Sequence, residues 1–142
     1  MRYLMKTIFL GAALVLMPGL GFADRIDFGE KEFLSVCAVC HGIKGDGSGS
    51  FAKRLSKKPS DLTVLSKNNS GIFPVDRIYQ VIDGREMAED GHGPRDMPIW
   101  GSRFNAEVFE NPNDYRQLYF SEAMVQERIL ALIDYLNSIQ KK

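Results

Sequence analysis

The segment Cys37-Ala38-Val39-Cys40-His41 constrains this chain more than any other feature of its sequence. It contains the only two cysteines and one of the two histidines. In a helix Cys37 and Cys40 are three residues apart and Cys37 and His41 four, so all three side chains project toward one neighbouring volume. We therefore expect a site in which two thiols and an imidazole act together.

Four chemistries use such residues, and the rest of the sequence favours one of them. A zinc site needs about four N or S ligands, and after these three only His92 remains as a histidine. A thioredoxin-like redox pair would follow a strand in an α/β pattern, which is absent here, and a structural disulfide would close too small a loop to stabilise much. C-x-x-C-H is the attachment sequence of c-type haem, in which two thiols bond the porphyrin edge and the imidazole reaches the iron. We favour haem.

The N-terminus has the pattern of a secretory signal. Arg2 and Lys6 precede an apolar run over 7–17, and small residues lead to Phe22-Ala23. We predict a signal peptide over residues 1–23, cleaved after Ala23, and a periplasmic protein. The alternative is an uncleaved anchor over 3–22, although a spanning helix needs about 20 apolar residues.

The length and composition of the chain suggest that its mature part is a single globular domain. The 142 residues are 44% hydrophobic and 25% charged, typical of a folded domain. Without residues 1–23 there remain 16 basic and 18 acidic residues, a net charge of −2, which argues against nucleic acid as a partner. No other segment is apolar enough to cross a membrane, so none is expected to span one after cleavage.

Hydrophobic periodicity predicts an all-α fold with three main helices. The first begins with a capping box at Asp27, carries Cys37 and Cys40 on one face with Phe33 and Val36, and ends at Gly42. A loop with at most short helical turns follows to residue 69. The second helix begins at Pro74 and ends at Gly84, with an apolar face formed by Val75, Ile78, Val81 and Ile82.

The third helix is predicted after a cap at Ser121, and its apolar stripe consists of Val125, Ile129, Leu132, Ile133 and Leu136. Residues 85–101 are predicted as a loop. Residues 102–120 are ambiguous.

The identity of a sixth iron ligand would decide whether a bound haem carries electrons or binds small molecules. A thioether raises the potential and closes the site, whereas an open position admits a ligand. Met97 lies in the Pro- and Gly-rich loop "RDMPIWG" and is the best candidate, while Met87 and Met124 read as loop or packing residues. His92, between two glycines, competes with Met97.

Together these features resemble a class I cytochrome c. The resemblance covers about 27–140: the haem motif ends the first helix, and a glycine-rich loop, a Met-Pro loop and an amphipathic C-terminal helix follow. "RDMPIWG" looks like a subgroup of small bacterial monohaem cytochromes. The longer 102–120 segment departs from a minimal cytochrome and leaves open an added docking surface or haem cover.

The resemblance implies one haem c per chain, attached through Cys37 and Cys40, with three main helices wrapped around it. It implies His41 and Met97 as the axial ligands of the iron. It also implies that the Pro59 carbonyl accepts the His41 Nδ1–H, as a proline carbonyl does in that family. Trp100 and Arg95 are candidates for contact with the haem or its propionates, and Trp100 could equally be a core residue.

The expected function is a periplasmic one-electron carrier, not an enzyme, that serves unidentified redox partner proteins. Two other functions remain open: a haem sensor in which Met97 is labile, and a cytochrome subunit of a periplasmic dehydrogenase or oxidase complex. The apolar residues between 44 and 69 are thinly spread, so we expect the haem to complete the core. A basic cluster, Lys53, Arg54, Lys57 and Lys58, and an acidic group, Asp83, Glu86, Glu89, Asp90 and Asp96, could each steer a partner.

Overall fold

The computed structural model describes residues 20–85, 97–108 and 115–142, and every regular element within these ranges is helical. The predicted all-α class is therefore confirmed. The α-helices, in chain order, are α1 (Leu20–Glu32), α2 (Ala38–His41), α3 (Val75–Asp83), α4 (Trp100–Val108) and α5 (Tyr115–Ser138). A π-helical turn, Phe33–Cys37, joins α1 to α2, and 3-10 turns follow at Ala52–Arg54, Leu62–Val64 and Lys67–Asn69.

The core forms around α5, whose predicted apolar stripe is buried throughout. The stripe residues Val125, Ile129, Leu132, Ile133 and Leu136 are all at most 4% exposed. Phe33, Ile78, Ile82, Trp100 and Phe104 complete the buried cluster against them. The other helices are thus held by apolar contact with one long helix.

Helices α1 and α5 meet at Gly29, where their backbones approach closely. A Cβ atom at Gly29 would lie 2.0 Å from the Ala131 carbonyl oxygen and 3.1 Å from the Tyr135 Cβ. One turn later the Phe33 ring packs on the Tyr135 ring, with centroids 5.2 Å apart. Glycine inside a helix costs about 0.5–1 kcal/mol relative to alanine, and here the close approach explains it.

The predicted starts of two helices are wrong. α1 begins at Leu20, and Asp27 lies inside it. Ile26 packs against the core and Arg25 Nε donates to the Asp134 carboxylate, so tertiary contacts extend the helix beyond the sequence signal. α5 begins at Tyr115, and Ser121 is fully buried within it.

The N-terminal prediction lies mostly outside the described residues, which begin at 20. Among the described residues, no helix is both long and apolar enough to cross a membrane. Residues 20–23 belong to α1, so the predicted cleavage position after Ala23 falls within a helix.

The second predicted helix is confirmed as α3. Pro74 directly precedes it, and Gly84 ends it in the left-handed region with φ +70° while its N–H donates to the Gln80 carbonyl at 2.8 Å. Ile78 and Ile82 are buried as expected, whereas Val75 is exposed. The predicted loop that follows ends earlier than expected, because Trp100 and Gly101 already belong to α4.

The partly buried Arg128 side chain connects α1, α4 and α5. Its guanidinium donates to the Glu32 carboxylate at 2.8 Å and to the Glu107 carboxylate at 2.7 Å. It also lies 3.9 Å from the centroid of the buried Phe104 ring. These contacts make the segment after residue 101 an integral part of the helical packing.

The predicted loop with short helical turns is confirmed between residues 42 and 69, and Asp61 stabilises one of these turns. Its carboxylate accepts from the Thr63 N–H at 2.9 Å and from the Thr63 hydroxyl, and these two bonds hold its pKa below the usual value. A lowered folded-state pKa means that the stabilisation is present above the unfolded pKa of about 4 and is lost as pH falls through the folded value.

We expect Asp61→Ala to lower the free energy of unfolding by about 1 kcal/mol at neutral pH, the usual effect of losing a cap. The difference should shrink at acidic pH, as the pH falls through the lowered folded-state pKa of Asp61, because protonation weakens the same interaction. Guanidinium unfolding at both pH values measures this, with exposed Glu127→Ala as the control. A loss of equal size at both pH values would contradict the capping role.

Candidate functional site

The Cys37–His41 motif lies where a π-helical turn passes into α2. The Ala38 N–H donates to the Phe33 carbonyl, five residues back, and the helix ends at Gly42 with φ +80°. Inserted turns of this kind are frequent at functional sites. The residues that were predicted to share one helical face therefore differ in burial. Phe33 is fully buried, while Cys37 and Cys40 are half-buried.

Both cysteines are free thiols, and the surroundings of Cys37 make it a poor thiolate. Burial, followed by the negative charges of Glu32 and Cys40, raises the pKa of Cys37 to about 12. Disulfide exchange needs a thiolate, and a buried thiol of this kind is a poor source of one. Within the described ranges, no three His, Cys, Asp or Glu side chains are grouped to hold a metal ion.

The His41 ring is fixed by the loop that follows it. Its Nδ1 lies 3.1 Å from the Ser60 carbonyl oxygen, and because a carbonyl only accepts, Nδ1 carries the proton and Nε2 keeps its lone pair. Burial lowers the pKa of His41, an effect that the bond to Ser60 opposes without cancelling. A neutral imidazole with a free Nε2 is the form that binds a metal.

The prediction that the Pro59 carbonyl would accept this proton is wrong by one residue, since the acceptor is Ser60. The Pro59 carbonyl instead faces Gly47, where a Cβ would lie 2.5 Å from its oxygen. Gly47 also has φ +78°, a conformation that favours glycine. Because the Pro59 carbonyl points toward Gly47, the next carbonyl along the chain, that of Ser60, faces His41.

A series of backbone bonds holds the glycine-rich loop against the motif. The N–H groups of Gly47, Gly49 and Phe51 donate to the carbonyls of the three motif residues, His41, Cys40 and Val39, at 2.7, 3.1 and 2.9 Å. The loop thus runs back along α2 before it returns to Ser60. This pairing positions the His41 partner and could not be predicted from composition.

Met97 lies three residues before Trp100, the first residue of α4. Met97 is half-buried and packs against the buried cluster, which Cys37 also contacts. Trp100 is buried, with its ring centroid 5.6 Å from that of Phe104 and the Arg103 guanidinium 4.8 Å from it. Trp100 is therefore a core residue in this structure, which was one of its two predicted roles.

Two competing or accessory residues, His92 and Arg95, lie outside the described residues, as do Met87 and most of the acidic group. The structure brings Cys37, Cys40 and His41 together in one segment and adds Ser60, which the sequence had not indicated. Met97 and Cys37 both pack against the buried cluster. Met124 is 38% exposed and is not a core residue.

Comparison with known proteins identifies no relative. No family model, no curated protein and no solved structure matches this chain. Its function therefore has to be inferred from its own residues.

Proposed function

We propose that the mature chain is a periplasmic one-electron carrier that holds one haem c through thioether bonds to Cys37 and Cys40, with His41 and Met97 as axial ligands. The fold would then be that of a class I cytochrome c, with the helices wrapped around the haem. When bound, the haem would supply an Fe(II)/Fe(III) couple. Its electrons would pass to and from redox partner proteins.

The observation that carries the proposal is the hydrogen bond from His41 Nδ1 to the Ser60 carbonyl within a C-x-x-C-H segment. The bond fixes the ring's tautomer and orientation, and an imidazole that donates in this way is a more basic metal ligand. A histidine without such a partner would be free to rotate and to adopt the other tautomer. His41 thus has the tautomer and the ring orientation that are needed to bind one metal ion through Nε2.

The thiol chemistry supports the same proposal. Burial raises the pKa of Cys37, which disfavours disulfide exchange, and its packing against the core suits a covalent bond to an apolar group. Cys37 and Cys40 are the only cysteines, so the motif has no competing thiol within the chain. The donor set, with two thiols, a neutral imidazole and a thioether, fits haem c better than zinc.

The packing of Met97 favours a closed iron site over an open sensor site. Its side chain contacts the same buried cluster as Cys37 and does not project freely into solvent. Apolar side chains such as Phe33 would exclude water from the neighbourhood of the metal and favour its reduced form. Two fixed protein ligands would keep the coordination nearly constant in both oxidation states.

We expect Met97→Ala to abolish the weak sulfur-to-iron absorption band of the oxidised protein. The potential should fall by roughly 0.1–0.3 V, part of the roughly 0.8 V range that axial ligands span. The reduced variant should also bind carbon monoxide, which the natural protein should refuse. Absorption spectra and a redox titration measure all three changes.

Met124→Ala is the matched control, because Met124 is half-exposed on α5 and should leave the band and the potential unchanged. His92→Ala should likewise retain the band. A band that survives in Met97→Ala, or natural protein that readily takes up carbon monoxide, would contradict Met97 as the ligand.

A further inference from the structure

The side chain of Gln140 joins the C-terminal end of α5 to a distant loop. Its Nε2 donates to the carbonyls of Leu62 and Leu136, both at 2.7 Å. Its Oε1 accepts from the Ser66 N–H at 3.0 Å. Because a carbonyl only accepts and a backbone N–H only donates, these three bonds fix the orientation of the amide. One half-buried side chain thus connects two points of the loop to the end of α5.

The next residue, Lys141, adds two contacts to the same loop. Its N–H donates to the Thr63 carbonyl at 2.8 Å, and its Nζ lies 3.4 Å from the Asp61 carboxylate. The ammonium group is largely exposed, so the ion pair contributes little and the backbone bond is the firmer of the two. We name the bonds that Gln140 and Lys141 make to residues 61–66 the C-terminal clasp.

Leu62 is held by hydrogen bonds on both of its backbone groups. Its carbonyl accepts from Gln140, and its N–H donates to the Gly45 carbonyl at 2.7 Å. Gly45 is itself close to the C-terminal segment, since a Cβ atom there would lie 3.1 Å from the Ile139 Cδ1. The C-terminal segment and the glycine-rich loop therefore hold Leu62 between them.

Ser60 lies between two positions that are held in this way. On one side the Pro59 carbonyl faces Gly47, whose N–H donates to the His41 carbonyl at 2.7 Å. On the other side, two residues further along the chain, is Leu62. The Ser60 carbonyl, 3.1 Å from His41 Nδ1, is directed by both neighbours, and only the second depends on the C-terminus.

We propose that Gln140 is a positioning residue for His41: by holding Leu62 through the C-terminal clasp, it keeps the Ser60 carbonyl in place to accept the His41 Nδ1–H. The inference rests on the proposed function only for the role of His41 as an iron ligand. Without the clasp, the loop would move and this hydrogen bond would open more often. A histidine that loses its acceptor is a less basic ligand and stabilises Fe(III) less.

The test measures how fast the His41 Nδ1 proton exchanges with solvent, by NMR of the exported protein with isotope-labelled histidine. The chain has only two histidines, so the loss of one signal in His92→Ala assigns the other. Gln140→Leu nearly keeps the size of the side chain and removes its hydrogen bonds. We expect it to speed the exchange at least tenfold. The increase should not depend on low guanidinium concentrations, because a local opening exposes little surface.

Gln140→Glu separates the two ends of the clasp. It keeps an acceptor for the Ser66 N–H but places a carboxylate, which cannot donate, beside the Leu62 carbonyl. We expect exchange as fast as in Gln140→Leu, because the bond to Leu62 is the one that acts on Ser60. Exchange as slow as in the natural protein would overturn the proposal.

Two controls separate positioning from a general loss of stability. Asn137→Leu introduces the same side chain at an exposed position in the last turn of α5, and it should leave the exchange unchanged. Ile78→Val leaves a small space in the core and lowers the stability of the whole domain. A rise in Gln140→Leu that Ile78→Val reproduces would overturn the proposal. Natural protein whose His41 proton exchanges as fast as in an unfolded chain would do the same.

The redox potential of the haem-loaded protein is the second readout. Gln140→Leu should raise the potential, because a less basic histidine favours the reduced iron, and Asn137→Leu should not change it. An unchanged or lowered potential in Gln140→Leu would contradict an effect of the clasp on the ligand. The exchange measurement does not require haem, so a failure of the clasp is distinguishable from a failure of the electron-carrier function, which the haem spectrum reports.

Discussion

Gly29→Ala is expected to lower the free energy of unfolding by about 3 kcal/mol, the upper part of the range for overpacking. The added Cβ would lie 2.0 Å from the Ala131 carbonyl oxygen, which belongs to the backbone of α5 and cannot rotate away. α1 and α5 would have to separate, and the contact between Phe33 and Tyr135 would weaken with them. Guanidinium unfolding followed by circular dichroism measures the loss.

The direction of the stability change makes Gly29→Ala a decisive test of the helix crossing. Alanine has a higher helix propensity than glycine, so at an exposed helical position the same substitution would stabilise the protein by about 0.5–1 kcal/mol. Lys31→Ala, on the exposed side of α1, is the control and should change stability by less than about 0.5 kcal/mol. Unchanged or increased stability in Gly29→Ala would contradict the close crossing of α1 and α5.

Cys37→Ala/Cys40→Ala is expected to remove more than half of the stability, in a domain whose total is typically about 5–15 kcal/mol. Without the two thioether bonds the haem would be lost on unfolding or extraction. The segment between residues 44 and 69 would then lack the apolar partner that its few hydrophobic side chains need. We expect the guanidinium midpoint of the haem-free variant to fall below half of the value for the natural protein.

Val36→Ala is the matched control for the packing that the cysteines themselves provide. Val36 is half-buried against the same cluster, so its truncation should cost about 1–2 kcal/mol while haem is retained. Equal unfolding midpoints for the haem-free variant and the natural protein would show that the helical core stands alone. That result would contradict the expectation that the haem stabilises the fold.

The helical class was predictable because its signals are periodic and local. The α5 stripe, the burial of Ile78 and Ile82, and the end of α3 at Gly84 were all read from spacing and glycine position. The helix starts were not predictable, because tertiary contacts override weak local caps. The bond between Arg25 and Asp134 keeps α1 helical before Asp27. The sequence also gave no periodic signal for α4, although it contains the fully buried Phe104.

The sequence predicts the residues of the candidate site, and it does not predict their detailed geometry. C-x-x-C-H identifies Cys37, Cys40 and His41 by type and spacing alone. The partner of His41 depends on where a long loop returns, and a shift of one residue there replaces Pro59 by Ser60. Gly29 could not be recognised as a packing residue from the sequence, because the predicted capping box placed it at the start of a helix and its contact, Ala131, lies about a hundred residues away in the chain.

The central claim is that Cys37 and Cys40 hold a haem covalently, and intact-mass spectrometry of the exported protein tests it most directly. We expect the mass of the mature polypeptide plus one haem, unchanged after extraction with acidified acetone, and the added mass confined to the peptide that contains both cysteines. The bare polypeptide mass, or a haem that the solvent removes completely, would contradict it.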